Sequence, residues 1–473
     1  MCTWELNSSR RTSLTRPNAV NATYTYDPAS SLLSVLHKLG TTVLDGASYT
    51  YDNAENRKTR TDKRTNTTLT YTFDNIYQLK TAKQGTTTKE SYTYDPVGNR
   101  LSSLGVSPYM YNTSNELTST PTTSYTYDNN GNTKTKSDGT QYNWDFENRL
   151  ASVVLPGAGG TVSFKYDGFG RRVQKSFVQG ATTTTTDYLY DGANLLEEVD
   201  QNGNVLARYT QGAGVDEPLT ELRSGTTSYY EQDGLNSVTS LSNSAGALAN
   251  TYTYDSFGKL TAVTGAVTNP IRYTGREFDS ETGVYYYRFR YFDQNIGRFL
   301  SEDPAVFRGR DVNLYRYVRN HPTDFIDPGG LMTIDPNFRP DCLPSLERAL
   351  NILRRLPKKC DCAFRKIGTH RSVADLAQDP RITIHSEQND AATSSGDVEG
   401  GYTVPGDTTD IWLRPVTCRF GRWALARALV HELTHLTLGP GPGQEDQAGT
   451  MEMECGFPPM LLPSSITVTA SPE

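Results

Sequence analysis

Tyr92-Thr93-Tyr94-Asp95-Pro96-Val97-Gly98-Asn99-Arg100-Leu101 reads as a strand, a turn and the start of a second strand. Residues two apart on a strand share a face, so Tyr92 and Tyr94 lie on one side and Thr93 on the other. Asp95 opens the turn through its side chain, and Gly98 accepts a positive φ. The same unit stands at Tyr24–Asp27, Tyr49–Asp52, Tyr71–Asp74, Tyr125–Asp128 and Tyr252–Asp255. Variants occur at Trp144-Asp145, Tyr166-Asp167 and Tyr190-Asp191. One such unit cannot bury its aromatic face alone, whereas stacked copies can, and recurrence of this kind marks a repeat architecture. The expectation is a mainly β fold, with a repeat scaffold over residues 22–270 after an irregular lead-in over 1–21.

At 473 residues the chain has room for two or more domains. Its 29 tyrosines against 16 phenylalanines suit many short strands joined by tight turns. A net charge of −7, a pI near 5.5 and the lack of a basic cluster argue against a nucleic-acid partner. No apolar run approaches the roughly 20 residues that span a bilayer, so no membrane span is expected. The first ten residues lack the apolar core of a signal peptide, so export would need a dedicated apparatus. Cys342, Cys360, Cys362, Cys418 and Cys455 all fall in the last third. The one-residue gap between Cys360 and Cys362 suits disulfides or buried thiols better than a zinc cluster, and the pairing stays open.

After the repeats come Tyr273-Thr274-Gly275-Arg276-Glu277-Phe278-Asp279, Gly283–Arg288, Tyr291–Asp293, Gly297–Pro304, Asn313–Asn320 and Pro322–Leu331. These motifs, with the repeats, resemble the Rhs/YD-repeat family over residues 22–331, and 271–331 is similar to its core-associated segment. The resemblance implies a β-sheet strip that spirals into a shell around a C-terminal toxin. It also implies delivery from the bacterial cytoplasm into target cells by a secretion or injection apparatus, and a cognate immunity protein.

Asp327-Pro328-Gly329-Gly330-Leu331 matches the family's self-cleavage motif, which implies a cut between Leu331 and Met332. Two carboxylates held together cannot both ionise cheaply, so one can serve as acid and the other as base. Asp327 lies in the motif. Similarity makes Asp303 its partner, with Asp311 and Asp324 as alternatives. Read without the resemblance, Asp-Pro-Gly-Gly is a tight turn ending a domain.

Beyond Leu331 the Tyr-Asp units stop, and residues 332–473 read as a small α+β domain. Ser345 can cap a helix with Leu346, Ala349, Leu350, Leu353 and Leu356 on one face. Strands are expected at 382–385 and 410–414, a loop at 389–401, and a helix over 419–438. That helix carries His431-Glu432-Leu433-Thr434-His435. Histidines four apart can meet one metal ion, and the glutamate between them can take a proton from bound water. The pattern looks like a zincin-type metallopeptidase, with Zn²⁺ held by His431, His435 and Glu452. Glu445 and Glu454 are the alternatives, and Tyr402 is a candidate oxyanion stabiliser. Glu432 would be the base acting on a peptide or protein substrate.

Two rival readings stay open. One is a structural or adhesive YD-repeat protein with an inactive C-terminal domain. The other is a toxin of nuclease or deaminase chemistry whose histidine pair holds a structural metal. For the latter, His385-Ser386-Glu387 has the deaminase form but lacks the cysteine motif that should follow.

Overall fold

The computed structural model describes residues 11–28, 31–192, 194–212, 216–304 and 311–327 in full. It adds the backbone of Cys2–Trp4, Thr383–Ser386, Gly401–Tyr402 and Asp410–Leu413, and Leu429, Val430, Leu433 and Thr434. The chain divides into two units, and the described residues from 11 to 327 all belong to the larger one.

That unit is mainly β. Ten strands from Cys2–Trp4 to Arg100–Ser103 form one sheet, and fourteen from Tyr125–Tyr127 to Leu260–Thr264 form another. Met110–Tyr111 and Leu117–Ser119 pair between them in the sequence. In every sheet of this unit the spatial order of strands is their sequence order. The lead-in is not irregular: Arg11–Thr15 pairs antiparallel with Val20–Tyr26 and buries Leu14. A strand edge recruits backbone without needing the Tyr-x-Tyr signature.

The repeat unit can be followed atom by atom at Asp52. Its N–H donates to the Asn56 carbonyl at 3.0 Å, and its Oδ1 accepts from the N–H groups of Ala54 and Asn56 at 2.9 Å. Asn56 Nδ2 closes the ring by donating to Oδ2 at 2.9 Å. Asp74, Asp95, Asp128, Asp145 and Asp167 repeat the pattern with Gln78, Asn99, Asn132, Arg149 and Arg171. A register shift at Thr50/Tyr51 precedes the turn, and others sit at Thr25/Tyr26, Thr72/Phe73 and Thr253/Tyr254. With this shift, the second tyrosine reaches back to the preceding unit: Tyr51 OH donates to Leu32 O at 2.8 Å, and Tyr166 to Leu150 O at 2.8 Å. Each such bond contributes about 1 kcal/mol net, so a unit with a second tyrosine is fastened to its predecessor, whereas Phe73 lacks the hydroxyl to do so.

The first tyrosine is buried in the units at Tyr49, Tyr71, Tyr92 and Tyr252, and half-buried at Tyr24. The threonine between points outward and bonds across the strand pair: Thr50 to Thr59, and Thr72 to Thr81, both at 2.7 Å. Asn112, Asp200, Asp233 and Asn243 build the same turn without the Tyr-Asp signature.

Residues 277–299 form a four-stranded sheet in sequence order, buried on both faces. Tyr285 and Tyr287 pack with Tyr71, Leu79 and Tyr92 of the ten-stranded sheet. Their neighbours Val284 and Tyr286 point the other way, into Tyr142, Leu150 and Val162 of the fourteen-stranded sheet. Strand alternation thus makes this segment a wedge between the two sheets. Polar contacts also join the sheets. His37 lies 2.8 Å from Gln232 O and 2.9 Å from Glu231, and Asp45 accepts from Thr239 Oγ1 at 2.7 Å.

In the C-terminal part, strands lie at Thr383–Ser386 and Asp410–Leu413, close to their expected places, and Gly401–Tyr402 pairs antiparallel with the latter. The expected helix at 345–356 falls outside the described residues, as does the expected loop at 389–401 except for Gly401, which opens a strand instead.

Candidate functional site

The wedge leads the chain to Asp327. Arg290, on the strand Arg290–Asp293, is 4% exposed in its side chain and lies over the Phe299 ring, 3.6 Å from its centre. Its Nη1 donates to Leu314 O at 3.3 Å. Its Nη2 stands 3.0 Å from Asp327 Oδ2 and 3.1 Å from Asp303 Oδ2. One guanidinium nitrogen therefore brings together two aspartates 24 positions apart in sequence. The Asp303 N–H donates to Leu314 O at 2.9 Å, which ties this residue to the 313–317 segment.

The two alternative partners are engaged elsewhere. Asp311 accepts from Arg316 Nε at 2.6 Å and from Nη2 at 2.9 Å. Asp324 accepts from His321 Nε2 at 2.8 Å and from the Arg57 N–H at 2.9 Å. Burial alone would push the Asp324 carboxyl up, but the His321 bond and the Arg57 charge hold it down to about 2. No sequence motif singles out Arg290. Nothing in Arg288-Phe289-Arg290 distinguishes the arginine that turns inward toward these carboxylates.

His431, Glu432, His435 and Glu452 lie outside the described residues, as do Glu445 and Glu454. Around the histidine motif, Leu429, Val430, Leu433 and Thr434 are helical and buried, and Thr434 Oγ1 donates to Val430 O at 2.8 Å. Tyr402 is described only as part of a strand. Among the described residues no helix is long and apolar enough to cross a membrane.

Known proteins similar to this chain correct one expectation and qualify another. The tRNA nuclease WapA of Bacillus subtilis (strain 168) is 32% identical over 64% of this chain, which spans 12% of that protein. The double-stranded DNA deaminase toxin A of Burkholderia cenocepacia (strain H111) is 28% identical over 40% of this chain and 15% of its own length. Neither is a zinc metallopeptidase, and this overturns the peptidase expectation for the Glu432 motif. Histidines four apart on a helix report a place for a metal, not the bond to be broken. A peptide substrate loses its support for the same reason, and the exclusion of nucleic acid conflicts with both relatives.

The crystal structure of TcdB2-TccC3-Cdc42 has a similar fold, with a TM-score of 0.57 and 22% identity over 70% of this chain and 19% of that one. The teneurin YD-shell family model matches residues 63–323, from the third repeat strand pair through the wedge to the segment carrying Asp303. That span takes in more than half of the sequence, and the chain belongs to the teneurin YD-shell family.

Proposed function

We propose that this chain is a YD-repeat shell whose residues 332–473 form a toxin set free by self-cleavage after Leu331. The observation that supports this reading is the meeting of Asp303 and Asp327 on Arg290, directly before Pro328-Gly329-Gly330-Leu331. Two carboxylates on one cation can divide the work, one giving a proton to the leaving amine while the other takes one from the attacking water. The water oxygen ends in the new Leu331 carboxylate, and Met332 becomes an amino terminus.

For the released segment, chemistry on nucleic acid is the better supported reading, because two relatives are named for acting on tRNA and on double-stranded DNA. His431, His435 and one of Glu452, Glu445 or Glu454 would hold a zinc ion there, and such an ion supplies an activated water when bound. Delivery by a secretion apparatus and neutralisation by an immunity protein belong to the same proposal.

The test is expression of the full chain with amino-terminal sequencing of the smaller product. A fragment beginning at Met332, lost in Asp327→Asn and in Asp303→Asn, is the expected result; a wild-type chain that stays whole would sink the reading. The fragment is then offered tRNA, double-stranded DNA and a protein mixture. Breakdown of protein alone would overturn the nucleic-acid assignment. Zinc at about one per chain, lost in His435→Ala, checks the metal.

A further inference from the structure

Some turns of the repeat scaffold do more than reverse the chain: they plug into the neighbouring sheet. The third residue of the turn at 255–259 is Phe257, whose N–H donates to Asp255 Oδ1 at 3.0 Å. Its side chain is 1% exposed and fills a socket on the ten-stranded sheet. The ring centre of Tyr92 is 5.1 Å away, and the Arg100 guanidinium carbon is 4.1 Å from the Phe257 ring and 4.5 Å from that of Tyr92. Tyr92 and Arg100 stand eight positions apart, on either side of one turn. Tyr49 and Arg57 repeat that spacing, with the guanidinium 4.1 Å from the ring. Here the turn at 233–237 is received: the Gly234 N–H donates to Tyr49 OH at 2.9 Å, and Leu235, its third residue, is buried.

Two other turns carry the same kind of side chain out into solvent. Phe169 holds the place of Phe257 in the turn at 167–171, its N–H donating to Asp167 Oδ1 at 2.9 Å, yet it is 81% exposed. Phe146, in the turn at 145–149, is 90% exposed. These turns join consecutive strands of the fourteen-stranded sheet at the same end, so they stand two strand spacings, roughly 10 Å, apart on one rim. Phe289 extends the patch: it is 41% exposed, and a carbon added to Gly170 would lie 3.3 Å from its ring. A contiguous exposed apolar patch of this kind marks an interaction surface.

The rim also holds the other half of such a contact. The Arg149 guanidinium carbon lies 5.1 Å from the Tyr166 ring centre, and that of Arg171 lies 5.7 Å from the Tyr190 ring centre. Both arginine side chains are partly exposed. Tyrosine with arginine is the pairing that receives Phe257 inside the molecule, and a guanidinium attracts the face of an aromatic ring. Plug and socket thus stand side by side on one surface.

We propose that this rim joins two copies of the chain about a twofold axis, with Phe146 and Phe169 of each copy seated on the tyrosine–arginine pairs of the other. A surface that carries both halves of its own contact is self-complementary, which is what a twofold interface requires. Burying four such rings removes on the order of 600–1,000 Å² from water. With the polar groups around them the contact reaches the lower range of specific interfaces, roughly 1,200 Å². The expected association is reversible, with a dissociation constant on the order of micromolar.

The experiment is sedimentation equilibrium of the purified full chain across the micromolar range. A mass rising with concentration toward that of two chains is the expected result. Phe146→Ser combined with Phe169→Ser should raise the dissociation constant about tenfold or more. Both side chains are exposed, so the variant should keep the wild-type circular dichroism. If it fails to fold, Phe146→Gln alone carries the test. Ile76, the third residue of the turn at 74–78, is exposed too but belongs to the ten-stranded sheet, and Ile76→Ser should leave the association unchanged. A wild-type chain that is monomeric at every concentration overturns the proposal and leaves the rim to a partner of another kind. A dimer indifferent to the phenylalanine changes, or one weakened equally by Ile76→Ser, overturns it as well.

Discussion

Arg172 and Arg208 show how little the residue type says by itself. The Arg172 side chain is 1% exposed, forks to Asp279 at 2.5 Å and Glu277 at 2.7 Å, and faces the rings of Tyr286, Tyr188 and Phe164. Arg208 meets Glu197 at 2.6 Å but is 58% exposed. Removing one member of a buried pair strands the others, so Arg172→Ala should cost about 3–5 kcal/mol in chemical denaturation. Arg208→Ala should cost less than about 1 kcal/mol, since water and salt screen an exposed pair. Equal losses for the two would contradict this account. The sequence offers no means of ranking them, because the two carboxylates that Arg172 meets lie more than a hundred positions away. Arg290 was illegible because nothing in Arg288-Phe289-Arg290 tells which side chain turns inward, whereas Asp327 and Asp303 stand inside recognisable motifs.

At the scale of elements, the repeat hairpin was legible because its chemistry is local. Tyr-x-Tyr-Asp announces both the face and the turn. The units at Asn112, Asp200, Asp233 and Asn243 escaped notice because the turn needs only a side-chain acceptor and an N–H four positions on, not the tyrosines. Where hairpins of different sheets meet, acids become buried. Glu90, on the strand Thr87–Tyr94, accepts from Tyr92 OH at 2.8 Å and from the Ser256 N–H at 3.1 Å. Beside it, burial and then the Glu90 charge push the Asp255 carboxyl up to about 7, against the pull of Arg100. The folded value lies above the unfolded one, near 3.9, so the contribution is fully present below about pH 4 and lost as pH rises to about 7. Asp255→Asn should therefore show a flatter stability curve than wild type between these limits in denaturant titrations. An unchanged slope would refute the coupling across this seam.

For the whole molecule, the wedge makes two sheets into one cooperative body. Phe292 is fully buried and packs with Tyr71 and Tyr92 from one sheet and Phe257 from the end of the other. Phe292→Ala should lower stability by about 3–5 kcal/mol and move one calorimetric transition as a whole. Two separated transitions, with only one of them displaced, would show that the sheets melt independently. The repeat scaffold and the segment that follows it were readable because each carries long motifs. The chemistry of residues 332–473 was not, since a five-residue metal pattern is shared by unrelated reactions. The strictly sequential order of strands has a last consequence, for synthesis. Each strand emerging from the ribosome finds its partner in the one made just before it, so the wall can be laid course by course with little loop closure to overcome. Only the wedge must wait, because it fills a space whose two sides have to be standing first.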